Sequence, residues 1–109
     1  MNASNERKRA LIIDDSMATR FILTKMLREL GFTLISEAGD GEQALCHLRE
    51  YPDTAIALVD WNMPVMNGFE FVTKARKDRR FDALKLLMVT TETELLNVVR
   101  ALEAGANEY

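Results

Sequence analysis

The sequence predicts an α/β fold in which a doubly wound parallel sheet carries helices on both faces. Short apolar runs alternate along the chain with segments whose apolar residues recur at helical spacing. This alternation is typical of parallel strands joined by right-handed helical crossovers. The length of 109 residues and a hydrophobic content of 48% fit one small globular domain with its own core.

The first strand is predicted at residues 10–13, and Ser16 is placed to cap the helix that follows. Gly31 is expected to end this helix, and the second strand is predicted at residues 33–38. The apolar residues of the helix follow the i, i+3, i+4, i+7 spacing, which places them on one face of the helix. They are Leu23, Met26, Leu27 and Leu30.

The turn at residues 39–41 leads into a second helix, which Pro52 ends. The third strand is predicted at residues 55–59, and Pro64 and Gly68 then mark a loop before the third helix. Both helices have apolar residues at helical spacing, which predicts that they pack on the sheet. These residues are Ala44, Leu45 and Leu48 in the second helix, and Phe69, Phe71, Val72 and Ala75 in the third.

The C-terminal part of the sequence predicts a fourth strand at residues 84–89 and a fourth helix. This helix begins at about Glu92 and stops at Gly105. Its apolar positions are Leu95, Val98, Val99 and Leu102. Residues 106–109 would begin a fifth strand, which we expect to be incomplete.

Three carboxylates follow apolar runs that are predicted to be buried strands. Asp14 and Asp15 come after the first strand, and Asp60 comes after the third. If these strands are parallel neighbours, the acids meet at the edge where open α/β sheets bind their ligands. Crowded carboxylates repel one another, so one of them must keep its proton unless a cation joins them. The pattern therefore predicts a metal ion and a reactive carboxylate.

Composition and charge exclude several classes of function. Cys46 is the single cysteine and His47 the single histidine, so neither an internal disulfide nor a zinc cage can form. We expect Cys46 to be inert and His47 to lie on the surface. The net charge of −3, with both signs interspersed, does not indicate a nucleic-acid surface. The basic run at residues 76–80 is expected to be a solvated helix end.

The N-terminal residues 1–9 are polar, and no apolar run approaches the length that spans a membrane. We expect a polar N-terminal segment at residues 1–9, a domain at residues 10–109, and no membrane contact. A chain without disulfides suits a reducing compartment, so the predicted location is cytoplasmic.

Several short motifs occur in order at the ends of the predicted elements. They are Asp14-Asp15-Ser16, GDGEQAL at residues 39–45, VDWNMPVMNG at residues 59–68, MVTTE at residues 88–92 and EAGANEY at residues 103–109. Together they resemble the receiver domain of two-component response regulators, from about residue 8 to residue 109. Residues 60–64 are most similar to the CheY-like members that serve chemotaxis. The resemblance implies a flavodoxin/CheY-like sheet with strand order 2-1-3-4-5.

The resemblance also implies a role for each candidate site residue. Asp60 would be the phosphoacceptor, which receives a phosphoryl group from a sensor histidine kinase. Asp15, Asp60 and the backbone carbonyl of Asn62 would hold Mg²⁺, with Asp14 reaching it through water. Thr90 would donate its hydroxyl to a phosphoryl oxygen and act as a switch residue.

Other positions would tune this site. Asn62 and Glu92 match positions that influence dephosphorylation, and their identities favour a short-lived phosphorylated state. Tyr109 matches the aromatic residue that moves together with the switch threonine. Pro64 and Gly68 would shape the loop after the third strand, so that the carbonyl of Asn62 points inward.

The sequence departs from the family pattern at its end. Receiver domains carry a lysine shortly after the position of Tyr109, and this sequence ends before it. We therefore expect a C-terminally truncated receiver domain without its fifth helix, with slow phosphoryl transfer. An unpaired edge on the fourth strand and an uncovered apolar face on the first helix would favour self-association.

Three functional hypotheses remain at this stage. The first is a phosphorylation-dependent signalling domain, not an enzyme acting on other substrates, that works through a downstream effector protein. The second is a truncated receiver that binds Mg²⁺ but signals poorly and serves as a dimerisation or binding module. A remoter one is a Mg²⁺-dependent phosphatase of the haloacid dehalogenase type. That family places its nucleophile in an Asp-x-Asp motif, whereas Asp14 and Asp15 are adjacent.

The individual residues also have simpler explanations. Asp14 and Asp15 alone would suit a solvated turn at a helix start, Asp60 a turn at a strand end, and Thr90 the end of a β-branched strand. The functional interpretation is favoured because all of them occur together.

Overall fold

The computed structural model describes residues 9–61, 63–89 and 105–107. The elements in chain order are β1 (Arg9–Ile13), α1 (Met17–Glu29), β2 (Leu34–Ala38), α2 (Gly41–Glu50), β3 (Ile56–Val59), α3 (Gly68–Lys77), a 3₁₀ helix (Arg79–Phe81) and β4 (Lys85–Met88). The predicted fourth helix, and residues 108 and 109 of the predicted fifth strand, lie outside the described residues.

The described strands form one parallel sheet in the order β2-β1-β3-β4. Ile13 at the end of β1 lies level with Ala38 on β2 and with Val59 on β3, and Val59 lies level with Met88 on β4. The strands therefore end together, which brings the residues that follow them to one edge. The predicted fold class and the order of these strands are confirmed.

Helix α1 begins and ends where the sequence indicates. The Ser16 side chain accepts a hydrogen bond from the backbone N–H of Thr19 at 3.2 Å, and Gly31 follows the helix with φ of 98°. Of the four apolar positions at helical spacing, Leu23 and Leu27 are buried. Met26 and Leu30 are 53% and 66% exposed, which agrees with the uncovered apolar face expected on the first helix.

Met26 and Leu30 are exposed because the contact between α1 and the sheet is narrow. Successive residues of a helix are rotated by about 100°, which places Met26 about 60° away from Leu23 around the axis and Leu30 about 60° away from Leu27. The sheet covers only the stripe that contains Leu23 and Leu27. Large apolar side chains are therefore exposed on α1 and at its C-cap, namely Met17, Phe21, Ile22, Met26 and Leu30.

Helices α2 and α3 pack as predicted. Asp40 caps α2, and Asn67 caps α3 in a capping box with Glu70. Their buried apolar residues are Ala44, Leu45, Leu48, Phe71, Val72 and Ala75. Phe69 is partly buried against the same core.

The sheet separates two apolar clusters of unequal size. Leu11 and Ile13 of β1 point into the larger cluster with α2 and α3, whereas Ala10 and Ile12 point into the smaller one with α1. Strand β1 is thus buried on both faces, which explains its uninterrupted apolar sequence. None of the helices in the described part of the chain is long and apolar enough to span a membrane.

The outer edge of β4 is occupied near its middle by Asn107. The backbone N–H of Asn107 donates to the carbonyl of Leu86 at 2.8 Å, and its Oδ1 accepts from the N–H of Leu86 at 2.8 Å. The expectation of an unpaired edge on this strand is therefore wrong at Leu86.

Arg76 holds this arrangement together, although it was expected to lie in a solvated helix end. Its guanidinium donates to the carbonyls of Phe81, Leu84 and Gly105 and to Oδ1 of Asn107. The side chain is consequently a structural link between α3, the segment at residues 81–84 that leads into β4, and residues 105–107.

Candidate metal centre

Asp14, Asp15 and Asp60 converge at the C-terminal edge of the sheet. Each offers a carboxylate oxygen, and these oxygens all lie within 4.8 Å of one another. Asp14 is buried, Asp60 is half-buried and Asp15 is exposed, so the cluster opens to solvent on one side. The structure thus brings together the three carboxylates that the sequence predicts to meet.

Backbone hydrogen bonds to neighbouring strands fix where these residues lie. The N–H of Asp14 donates to the carbonyl of Ala38 at 3.0 Å, and the N–H of Asp60 donates to the carbonyl of Ile13 at 2.9 Å. The backbones of both residues are therefore continuations of the sheet ladder. Side chains held by such a rigid element keep their positions better than side chains on a free loop.

Burial raises the pKa of the Asp14 carboxyl above its ordinary value. The negative charges of Asp60 and Asp15 raise this pKa further. The N–H of Ser16, which donates to Oδ1 of Asp14 at 2.8 Å, and the positive charge of Arg20 act in the opposite direction. Asp14 thus experiences the repulsion expected of crowded carboxylates, which a bound cation would relieve.

The donor set fits a hard divalent cation such as Mg²⁺. Carboxylate oxygens are ligands that Mg²⁺ prefers, and two ligands on opposite sides of the ion lie about 4.2 Å apart, since each bond is about 2.1 Å. Oxygens within 4.8 Å of one another can therefore share an ion directly or through one of its water molecules. Asp14, Asp15 and Asp60 are the side chains that would hold it.

Gly68 allows the loop after β3 to close tightly against the backbone of Asp60. Its N–H donates to the carbonyl of Trp61 at 2.8 Å. A Cβ at position 68 would lie 2.4 Å from the carbonyl oxygen of Asp60 and 3.0 Å from Cα of Trp61. Only glycine fits there, which supports the predicted role of Gly68 in shaping this loop.

The same loop contains a feature that the sequence did not indicate. Val65 has φ of 65°, a region that β-branched residues rarely adopt, and it is 73% exposed. The N–H of Met66 donates to the carbonyl of Pro64 at 2.6 Å, which makes a tight turn centred on Val65. No sequence signal points to this turn, because valine is among the least expected residues at its centre.

Trp61 places an optical probe beside the cluster. It directly follows Asp60, is 8% exposed, and packs in the larger apolar cluster with its ring 6.0 Å from that of Phe69. A change in the position of Asp60 therefore alters the surroundings of the indole ring.

Arg20 is a candidate site residue that the sequence interpretation missed. Its Nη1 donates to the backbone carbonyl of Asp14 at 2.6 Å, and its Nε donates to the carboxylate of Glu37 at 2.8 Å. One signal could have revealed it: a cation in the first turn of a helix is disfavoured by the helix dipole, so an arginine there needs acceptors of its own.

Several predicted site residues lie outside the described part of the structure. They are Asn62, Thr90, Glu92 and Tyr109. The predicted metal-binding carbonyl of Asn62 and the switch roles of Thr90 and Tyr109 remain predictions, as do the tuning roles of Asn62 and Glu92.

His47 belongs to a different cluster and is less exposed than expected. Its ring lies 4.8 Å from that of Tyr51, and the guanidinium of Arg9 lies 4.1 Å from the centre of the Tyr51 ring. Burial and the positive charge of Arg9 lower the pKa of His47. The expected surface position is thus wrong in part, whereas Cys46 is exposed and unpaired.

Comparison with known proteins shows consistent similarity. The family model described as "Response regulator receiver domain" matches residues 10–109. Chemotaxis protein CheY1 of Helicobacter pylori is 41% identical over 99 residues, which cover 91% of this chain and 80% of the relative.

Solved structures agree with this result. CheY4 of Vibrio cholerae superposes with a TM-score of 0.85 and 31% identity, and the match covers 94% of this chain and 83% of that one. CheY in a CheX-CheY-BeF3-Mg complex from Borrelia burgdorferi has a TM-score of 0.86 and 29% identity. That match covers 98% of this chain and 80% of the other.

Proposed function

Because the chain belongs to the receiver domain family of response regulators, we propose that it accepts a phosphoryl group on Asp60 from a sensor histidine kinase and relays the signal to a downstream effector protein. One observation carries the proposal: the carboxylates of Asp14, Asp15 and Asp60 converge at one edge of the sheet. The half-buried Asp60 follows a central strand of that sheet, and a phosphodonor can approach it from solvent.

In the proposed reaction, a carboxylate oxygen of Asp60 attacks the phosphorus atom of a phosphohistidine or a small phosphodonor. The P–N bond of the phosphohistidine, or the P–O bond of the small phosphodonor, breaks at the same time, and its electron pair stays on the departing nitrogen or oxygen. The Asp60 carboxyl becomes an acyl phosphate. A bound Mg²⁺ ion would supply the positive charge that lets an anionic carboxylate meet an anionic phosphoryl group.

The chain's own residues position the reacting group. The hydrogen bond to the carbonyl of Ile13 on β1 and the close approach of Gly68 fix the main chain of Asp60, while Asp14 and Asp15 provide further oxygens for the cation. Thr90 would donate its hydroxyl to a phosphoryl oxygen, and Asn62 and Glu92 would tune hydrolysis. In this proposal the chain catalyses only its own phosphorylation and dephosphorylation.

The relatives suggest the cellular role. The similarity to chemotaxis proteins supports a chemotaxis pathway. A chain with a single cysteine suits a reducing compartment, so we place this role in the cytoplasm. The Borrelia structure holds CheY together with CheX, BeF3 and Mg, which supports Mg²⁺ as the cofactor and a protein of the CheX kind as one type of partner for this chain.

The proposal is tested by adding Mg²⁺ with acetyl phosphate or beryllofluoride, following the fluorescence of Trp61, and mapping any phosphoryl label by mass spectrometry. We expect a label on Asp60 that is lost in Asp60→Asn. A matched control is Asp82→Asn, because Asp82 is an exposed acid outside the cluster. Equal labelling of wild type and Asp60→Asn would contradict the proposal, and sustained turnover of a phosphate ester would favour the phosphatase.

Self-association remains a prediction. The exposed apolar side chains of α1 support it, whereas the contacts between Asn107 and Leu86 oppose pairing through the middle of β4. Light scattering at micromolar concentration distinguishes a self-associated protein from a monomer. A monomer with a stable native fold would show that this prediction is wrong, and it would leave the proposed phosphorylation unaffected.

A further inference from the structure

The guanidinium of Arg20 joins three parts of the fold next to the carboxylate cluster. Arg20 lies in α1, its Nη1 donates to the Asp14 carbonyl at 2.6 Å, and its Nε donates to Glu37 on β2 at 2.8 Å. Its side chain is only 17% exposed, although arginine is usually a surface residue. The two bonds use different nitrogens of one planar group, so each contact restricts the other.

These contacts complete the set of hydrogen bonds that fix Asp14. The N–H of Asp14 is held by Ala38, and its carboxylate accepts from the N–H of Ser16. The remaining group is the carbonyl of the peptide bond that leads into Asp15. Arg20 holds that carbonyl, and therefore the orientation of the peptide plane between the two acids.

We propose that Arg20 is a positioning residue for the metal ligands, acting through the carbonyl between Asp14 and Asp15. This inference rests on the proposed function, in which these carboxylates hold Mg²⁺. Glu37 serves as the anchor that keeps the guanidinium in place. Groups outside the ligand shell that orient the ligands in this way commonly change metal affinity about 10-fold to 100-fold when they are removed.

The charge of Arg20 acts against this role, which makes the inference testable. A positive charge near the cluster repels a cation, so its removal would tighten Mg²⁺ binding if charge were all that mattered. If the positioning effect is larger than the charge effect, removal of the Arg20 guanidinium weakens Mg²⁺ binding instead. Lysine keeps the charge but lacks the planar fork, so it cannot hold both acceptors in the same geometry.

The experiment measures the Kd for Mg²⁺ by isothermal titration calorimetry and by Trp61 fluorescence in wild type, Arg20→Gln and Arg20→Lys. We expect both variants to raise the Kd about tenfold. Glu37→Gln should change it less than about threefold, because the glutamine oxygen can still accept from Nε of Arg20. Arg28→Gln is the matched control, since it removes the same charge from an exposed position of α1 and should leave the Kd unchanged.

Urea unfolding without Mg²⁺ separates positioning from a merely structural role. Reduced stability with an unchanged Kd would overturn the inference, and so would an Arg20→Lys variant that binds like wild type. If Arg20→Gln does not fold, the Kd for Mg²⁺ is compared between wild type, Arg20→Lys and Glu37→Ala instead. Absence of Mg²⁺ binding in wild type would instead refute the proposed function, and with it the premise of this inference.

Discussion

Replacing Gly68 with alanine tests how closely the loop after β3 approaches Asp60. The added Cβ would lie 2.4 Å from the carbonyl oxygen of Asp60, whereas carbon–oxygen contacts are ordinarily at least about 3.3 Å. The backbone must therefore move by about 0.9 Å, which is the difference between these two distances. No side-chain rotation relieves the contact, because the three nearest atoms all belong to the main chain of Asp60 and Trp61.

The expected cost follows from this displacement. Overpacking of a tight site destabilises a protein by about 1–3 kcal/mol, and the better helix propensity of alanine returns at most about 1 kcal/mol. We expect Gly68→Ala to lower the free energy of unfolding by about 2 kcal/mol. With a urea m value of about 1–3 kcal/mol/M, the midpoint of unfolding falls by about 1 M.

Urea unfolding followed by far-UV circular dichroism measures this change, and Trp61 fluorescence reports on the indole environment beside Asp60. The matched control is Gly39→Ala, where the nearest atom to the added Cβ, Oε1 of Gln43, lies at an ordinary 3.8 Å. The control should stay within about 0.5 kcal/mol of wild type. If Gly68→Ala is equally stable and leaves the Trp61 spectrum unchanged, the inferred close approach is wrong.

Three further predictions concern other parts of the chain. Val65→Asn should raise the free energy of unfolding by about 1 kcal/mol in urea, because asparagine tolerates positive φ, and a loss of stability would contradict the strained turn. Burial and Arg9 lower the pKa of His47 below its ordinary 6.5, so the unfolded chain takes up the proton first. The stability that neutral His47 provides is therefore fully present above pH 6.5 and is lost as pH falls through 6.5 and past the folded-state pKa. Thermal unfolding at several pH values should show this fall in stability for wild type but not for His47→Gln. The same pH dependence in both proteins would show that it does not originate in His47. Arg76→Lys should lower the free energy of unfolding in urea by about 2–3 kcal/mol, because a single ammonium group cannot donate to all the acceptors of the guanidinium. Arg79→Lys, at a fully solvated position, should leave the free energy of unfolding unchanged.

The sequence predicted the strands and the carboxylate cluster well because both depend on local patterns. An apolar run with a polar residue after it marks a buried strand and its end, and parallel pairing then brings Asp14, Asp15 and Asp60 together. The capping residue Ser16 was equally predictable, since its side chain bonds to an amide only a few positions away.

The contacts of two arginines could not be predicted from local sequence patterns. The acceptors of Arg20 and Arg76 include backbone carbonyls, which every residue possesses, so no residue type in the sequence identifies them. Helical spacing alone did not separate the buried Leu27 from the exposed Met26 and Leu30, because it does not show how wide a stripe the sheet covers. The φ of Val65 was unpredictable because the tight turn between Pro64 and Met66 imposes it against valine's own preference.

The unequal apolar clusters on the two faces of the sheet have a consequence for local unfolding. Within the described residues, α1 rests on the smaller cluster, so it can separate from the sheet at a lower free energy than α2 or α3. Asp14 and Asp15 lie just before its first turn, and a cation shared with Asp60 would tether that turn to β3. Amide hydrogen exchange in α1 should therefore slow as Mg²⁺ is added, which makes the protection of this helix a direct measure of site occupancy.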